Sequence, residues 1–315
     1  MSLVAARAAA FAPGHVTGLF EIHDEQPELA RRGSRGAGFC LAQGAISFVE
    51  VEPADSLELL IALDKQVCDA PVTRYALTEL LKLAVKDAKI PLNKEAPKGG
   101  RAKIRVHVHT DLQLPVSQGF GMSAAGALSA SLALARCLKL GRSDAVRAAH
   151  EADVAERGGL GDVVGSALGG FEIRTAPGLP PYGAINNFVG YGDAVLCVVG
   201  GKLETKQVLS DASARAAVNA AGARALAELL KAPSLDAFLA QSQIFARESK
   251  LLTPELERAM HAASPYGKAS MSMLGNSVFA FGNTRKLVDA LTPFGETRVV
   301  PVSDAGARLV EITDA

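Results

Sequence analysis

The sequence contains no tryptophan, and its 315 residues hold four cysteines. Cys40, Cys68, Cys137 and Cys197 stand singly, with no C-x-x-C spacing, so neither a zinc ribbon nor a redox pair is indicated and free thiols are expected. No apolar run approaches the roughly 20 residues of a membrane helix. Net charge is missing too: 33 basic residues balance 33 acidic ones, leaving no bulk field to draw nucleic acid or an anionic membrane. The opening segment, Met1 to Phe11, reaches Pro13-Gly14 before a cleavage site could follow, so no signal peptide is expected. The G-x-x-x-x-G-K-[ST] pattern is also absent, which argues against a P-loop nucleotidase. These absences point to a cytoplasmic protein with no nucleic-acid and no membrane partner, and they leave a homodimer open.

What is present is a large hydrophobic share, 49%, with 30 glycines and many alanines. The length exceeds the usual single core, so two domains are expected, residues 1–180 and 181–315. Ala8 to Ala12 reads as a short strand end broken by Pro13-Gly14. Ala45 to Val51 and Leu57 to Leu63 read as a strand pair. Leu77, Leu80, Leu81 and Val85 have helical spacing within Thr73 to Lys89. Ile104, Val106 and Val108 alternate with Arg105, His107 and His109, the pattern of a half-buried strand with both histidines facing solvent. A helix is expected from Ser123 to about Leu140, and another after an N-cap at Ser143. The proline-rich stretch Ile173 to Asp193 reads as the crossover between halves. Beyond it, Ala194 to Val199 reads as a buried strand. Helices at Ala212 to Leu230, Leu235 to Glu248 and Glu255 to Ala262 then alternate with strands at Ser277 to Phe281, Thr297 to Pro301 and Leu309 to Ile312. The interleaving lacks βαβ regularity, so the fold class is α+β.

The richest chemical signal lies between a strand and a small-residue helix, in Pro115-Val-Ser-Gln118-Gly119-Phe120-Gly121-Met122-Ser123-Ala124-Ala125-Gly126. Gly119 and Gly121 permit close backbone approach, and a helix start presents free N–H groups and a positive dipole end to an anion. Ser123 could cap the helix, touch a phosphate or ligate magnesium. By residues alone, a serine-capped glycine turn remains an alternative. A dinucleotide fingerprint fits less well, because Arg142 and Ser143 stand where a ribose-binding acid belongs. Two carboxylates follow: Glu151 on the next helix, and Asp162 after Gly158-Gly-Leu-Gly161.

The loop resembles the second signature of the galactokinase–homoserine kinase–mevalonate kinase superfamily, with Phe120 and Met122 in place of a leucine and a serine. Ala12-Pro13-Gly14-His15 is similar to the first signature. Lys268 to Asn276 occupies the place of the third, poorer in glycine than usual. The resemblance implies a two-domain kinase with its active site in the interdomain cleft, using ATP and Mg²⁺. It implies nucleotide contacts from Pro115, Gln118, Gly119, Phe120, Gly121, Met122, Ser123, Ala124 and Ala125. It assigns Mg²⁺ to Ser123 and Glu151, a basic or orienting role to Asp162, and a place facing the transferred phosphate to Thr205. His15 stands near where relatives carry lysine or arginine, and is counted with the catalytic set.

Phe11 to Phe20, Gly33 to Gly38 and Ser117 to Gly126 together are most similar to the archaeal pantoate kinases, a family within this superfamily. That likeness implies phosphorylation of the pantoate 4-hydroxyl on the route to coenzyme A. A cation must then meet the pantoate carboxylate, and Arg35, Arg247 and Lys268 are the candidates, in that order. Homoserine, shikimate or mevalonate as acceptor, or a catalytically silent metabolite binder, are the alternatives.

Overall fold

The computed structural model describes residues 5–90, 92–93, 101–201 and 211–312. Its first sheet is built on two long strands, β1 (Ala6–His23) and β2 (Gly33–Pro53), paired antiparallel along most of their length. Then follow β3 (Glu58–Leu63), β4 (Gln66–Val67), helix α1 (Pro71–Lys86), the short β5 (Leu92–Asn93) and β6 (Arg101–Ala102), and β7 (Ile104–Leu112). Helices α2 (Met122–Cys137), α3 (Arg142–Ala155) and α4 (Asp162–Leu168) lead to the hairpin of β8 (Phe171–Ala176) and β9 (Ala184–Phe188). A second sheet, in the order β11-β12-β10-β13, comprises β10 (Asp193–Val198), β11 (Gly267–Met271), β12 (Ser277–Gly282) and β13 (Glu296–Pro301). Helices α5 (Ala212–Lys231), α6 (Leu235–Glu248), α7 (Pro254–Ala263) and α8 (Thr284–Leu291) cover it and the end of β1, and β14 (Arg308–Val310) returns to the first sheet beside β1.

Small residues explain how closely these layers pack. Helix α2 is buried on nearly every side, because Ala124, Ala125, Gly126, Ala127, Ser129, Ala130 and Ser131 let it lie against β1, β2, α1 and α3 together. The two sheets meet at an aromatic cluster. Phe39 of β2 lies 5.5 Å from Phe171 of β8, 6.1 Å from Phe238 of α6 and 5.3 Å from Phe279 of β12, in tilted and edge-on arrangements. Truncating a buried phenylalanine of this kind costs about 3–5 kcal/mol.

Several expectations are corrected. Pro13-Gly14 does not end a strand: β1 runs on to His23, and the pairing register with β2 shifts between Pro13 and His15. A proline without an N–H is tolerated at such an irregularity, where the ladder is already broken. The segments near residues 45–51 and 57–63 are strands but not partners, since β7 lies between them, antiparallel to β2 and parallel to β3. Helix α3 is capped at Gly141, whose N–H donates to Asp144 Oδ2 at 2.8 Å, rather than at Ser143. Most of the Ile173–Asp193 stretch forms the β8–β9 hairpin, and only the few residues after Phe188 carry the chain to the second sheet. Because β9 and β14 both pair into the first sheet, sheet membership does not follow a division at residue 180.

Candidate active site

A cleft of about 470 Å³ opens between the end of β1, the start of α2, the C-terminal end of α3 and the Met273-Leu274 segment. Ser117, Gly119, Phe120, Gly121, Met122, Ser123 and Ala124 form one wall. Neighbouring backbone clamps this loop. The register shift in β1 lets the His15 N–H donate to Phe120 O at 3.0 Å, and Ser277 Oγ donates to Gln118 O at 2.6 Å. Gly119 adopts φ +79°, and a Cβ there would lie 2.7 Å from Ser272 O, so no other residue fits. Gly121, at φ +62°, caps α2 without a side chain. The helix therefore starts at Met122 and Ser123 does not cap it, which leaves the exposed Ser123 hydroxyl to the cleft. The first N–H groups of α2 and its dipole end make this wall suited to phosphate.

The opposite wall carries charge on side chains. Asp153 and Asp162 both line the cleft and approach each other across Gly159. A Cβ on Gly159 would sit 2.8 Å from Asp153 Oδ2 and 2.9 Å from Asp162 Oδ2, so only a glycine leaves the two carboxylates face to face. Asp153 is 2% exposed, and its Oδ1 is buried with no hydrogen-bond partner. Burial, together with the nearby charge of Asp162, pushes its carboxyl well above the ordinary aspartate range. An orphaned buried oxygen next to a second carboxylate fits a cation, and the Ser123 hydroxyl on the same cleft could complete its protein ligands. No group of three acidic, histidine or cysteine residues that could hold a metal occurs among the described residues, so phosphate oxygens would have to supply the rest.

Behind Asp162 lies a closed circuit of polar groups. His15 Nδ1 is 2.8 Å from Asp162 Oδ1, and its Nε2 is 3.0 Å from Glu172 Oε1. Glu172 pairs with Arg174, Arg174 Nη2 donates to Thr17 Oγ1 at 3.4 Å, and Thr17 Oγ1 donates to Asp162 Oδ1 at 3.5 Å. His15, Glu172 and Arg174 are essentially inaccessible to solvent. Burial alone would discharge His15, but its bonds to Asp162 and Glu172 and their negative charges outweigh it and raise the imidazole above its usual range. Arg174 Nε also donates to Ser34 Oγ at 3.2 Å, and both Ser34 and Thr17 line the cleft.

Of the residues singled out in the sequence, the structure brings Gly119, Phe120, Gly121, Met122, Ser123, Ala124 and Asp162 to the cleft. Gln118 turns away, its Nε2 on Gly200 O, and neither Pro115 nor Ala125 lines the cleft. Glu151 does not reach it either. It is half-buried on another face of α3, near Arg147 and Glu79, with burial pushing its carboxyl up. Positions two apart on a helix point about 200° from each other, so the residue of α3 that faces Ser123 and Asp162 is Asp153. His15 touches Asp162 but does not itself line the cleft. Arg35 is engaged with Thr175 O at 3.1 Å and with Glu21 at 3.3 Å, Lys268 with Asp236 at 2.8 Å, and Arg247 is exposed on α6. None of the three lines the cleft, whose one lysine or arginine among the described residues is Arg157. Thr205 lies outside the described residues.

Residues 72–170 match the family described as GHMP kinases N terminal domain. A pantoate kinase of Thermococcus kodakarensis is 34% identical over 279 residues, covering 86% of each chain. One of Methanospirillum hungatei is 30% identical over 309 residues, covering 96% of each. A solved structure described as a phosphotransferase related to the CoA biosynthesis pathway superposes with a TM-score of 0.83 at 28% identity, over 97% of this chain and 99% of that one.

Proposed function

The chain belongs to the GHMP kinases, and from that premise we propose that it transfers the γ-phosphoryl group of ATP to the 4-hydroxyl of pantoate. The observation that carries the reading is Asp162: its Oδ1 is held from behind by His15 and Thr17, while Oδ2 faces Asp153 and the cleft. The triphosphate lies along Ser117 to Ala124, with the opening N–H groups of α2 on its oxygens. Arg157, which also lines the cleft, brings positive charge to the space the phosphates occupy. Asp153 and Ser123 would hold Mg²⁺, which would offset the charge of the phosphate oxygens.

Pantoate enters over Ser34 and Thr17. Arg174 donates to both hydroxyl oxygens; the Thr17 proton is already given to Asp162 Oδ1, whereas Ser34 keeps its own proton to offer. Ser34 is thus oriented towards the pantoate carboxylate with the Arg174 charge beneath it, the role expected of Arg35. In the transfer, the 4-hydroxyl oxygen forms a bond to the γ-phosphorus as the bond from phosphorus to the β–γ bridging oxygen breaks. The hydroxyl proton passes to Asp162 Oδ2, and ADP leaves. ADP release measured with pantoate, homoserine, shikimate and mevalonate tests the reading. Pantoate is expected to give the largest kcat/KM, and preference for another alcohol overturns it.

A further inference from the structure

Asp162 needs support that its own wall does not obviously supply. It faces Asp153, and the nucleotide phosphates proposed above would add more negative charge. The His15 imidazole and Thr17 hydroxyl of β1 bond to it, and Asp153 of α3 and the Cys40 thiol of β2 lie within reach of its charge. Glu172 and Arg174 of β8 and Ser34 of β2 stand behind His15 and Thr17. The imidazole is fitted into its place rather than merely tolerated. A Cβ on Gly38 would come within 2.7 Å of His15 Nε2, and one on Gly165 within 2.5 Å. Glycine on both sides of the ring fixes its plane, and the two carboxylates engage its two nitrogens.

We propose that His15, clamped by Glu172 and Arg174, is the positioning residue of this site: it supplies the charge opposite Asp162 and ties down Oδ1, so that Oδ2 alone is presented to the acceptor hydroxyl. His15 touches neither the cleft nor a reacting atom, so its whole effect passes through Asp162. With the imidazole protonated, the formal charges of Asp162, His15, Glu172 and Arg174 cancel. Loss of that proton leaves the cluster one charge negative, beside an approaching polyanion. Deprotonation of His15 therefore opposes turnover on the alkaline side.

This inference rests on the kinase reading for its activity test, and a second measurement separates the two. His15→Gln keeps a donor of similar length and removes the charge. It is expected to lower kcat about tenfold to a hundredfold while leaving the ATP KM within about twofold. The wild type is expected to lose kcat as pH rises through the His15 titration, and H15Q to lack that alkaline limb. Independently of any substrate, proton NMR of the ligand-free protein should show low-field imidazolium N–H resonances that vanish in H15Q and move in D162N. If H15Q keeps the wild-type kcat and alkaline limb, or only lowers thermal stability with the profile unchanged, the inference is overturned and the kinase reading stands. If the resonances behave as stated but none of the four alcohols is phosphorylated, the positioning stands and the substrate reading falls.

Discussion

The two walls of the cleft handle negative charge by opposite means. The wall formed by Ser117 to Ala124 carries no charged side chain and uses backbone, with glycines at φ +79° and +62° aiming N–H groups from the start of α2. The facing wall uses side chains: Asp153, Asp162, and the buried His15–Glu172–Arg174 cluster behind them. Backbone donors are fixed by the chain path and depend little on pH. Side-chain charges can be retuned by each neighbour, and here they are. On the function proposed above, phosphate binding falls to the rigid wall and proton chemistry to the titratable one.

Substitutions should separate the walls. Asp162→Asn is expected to have the largest effect, lowering turnover about a thousandfold while ATP binding by calorimetry stays within about threefold. Equal losses in both would mean that Asp162 belongs to the nucleotide wall. Asp153→Asn follows, with turnover down about a hundredfold and the magnesium requirement shifted to higher concentration. The same change should stabilise the metal-free protein. A carboxylate raised in the folded state costs nothing below its unfolded value near 4, and its cost grows as pH rises towards the folded value. The gain in Tm should therefore be absent under acid conditions and clear at pH 8, by scanning calorimetry.

Gly119→Ala comes third. It places a Cβ against Ser272 O at a positive φ, so it should raise the ATP KM about tenfold or more and leave the shape of the pH–rate profile unchanged. A changed profile would show the walls to be coupled. Glu151→Gln should do least, with kcat within about twofold of wild type, because its side chain faces away from the cleft. A large loss would return the metal to Glu151.

Much of the fold was legible where one physical rule acts alone. The alternation from Ile104 to His109 gave β7, and the helix at Leu235–Glu248 has the expected bounds. The phosphate loop could be read because glycine and small residues leave few other purposes for that spacing. The charged wall was harder. The resemblance pointed to Glu151, whereas the residue of α3 that lines the cleft is Asp153, and the available clue was a carboxylate on the stripe of Ala145, Ala149 and Ala152. Glu172 and Arg174, two apart on a strand, look in sequence like a solvent-facing pair. Their partners, His15 and Thr17, lie more than 150 positions away, and no local pattern announces such a meeting.

The pairing of Ala9, Ala10 and Phe11 with Val310, Leu309 and Arg308 has a consequence in time. The strand that carries His15 leaves the ribosome well before the short strand that covers its outer edge, which lies about 300 positions further along the chain. At ordinary elongation rates the two are separated by tens of seconds. During that interval the long, apolar β1 has one side without its partner, the condition under which strands recruit other chains. Deleting residues 308–310 should therefore show itself first as a lower soluble yield on synthesis, before any change in the chemistry of the cleft.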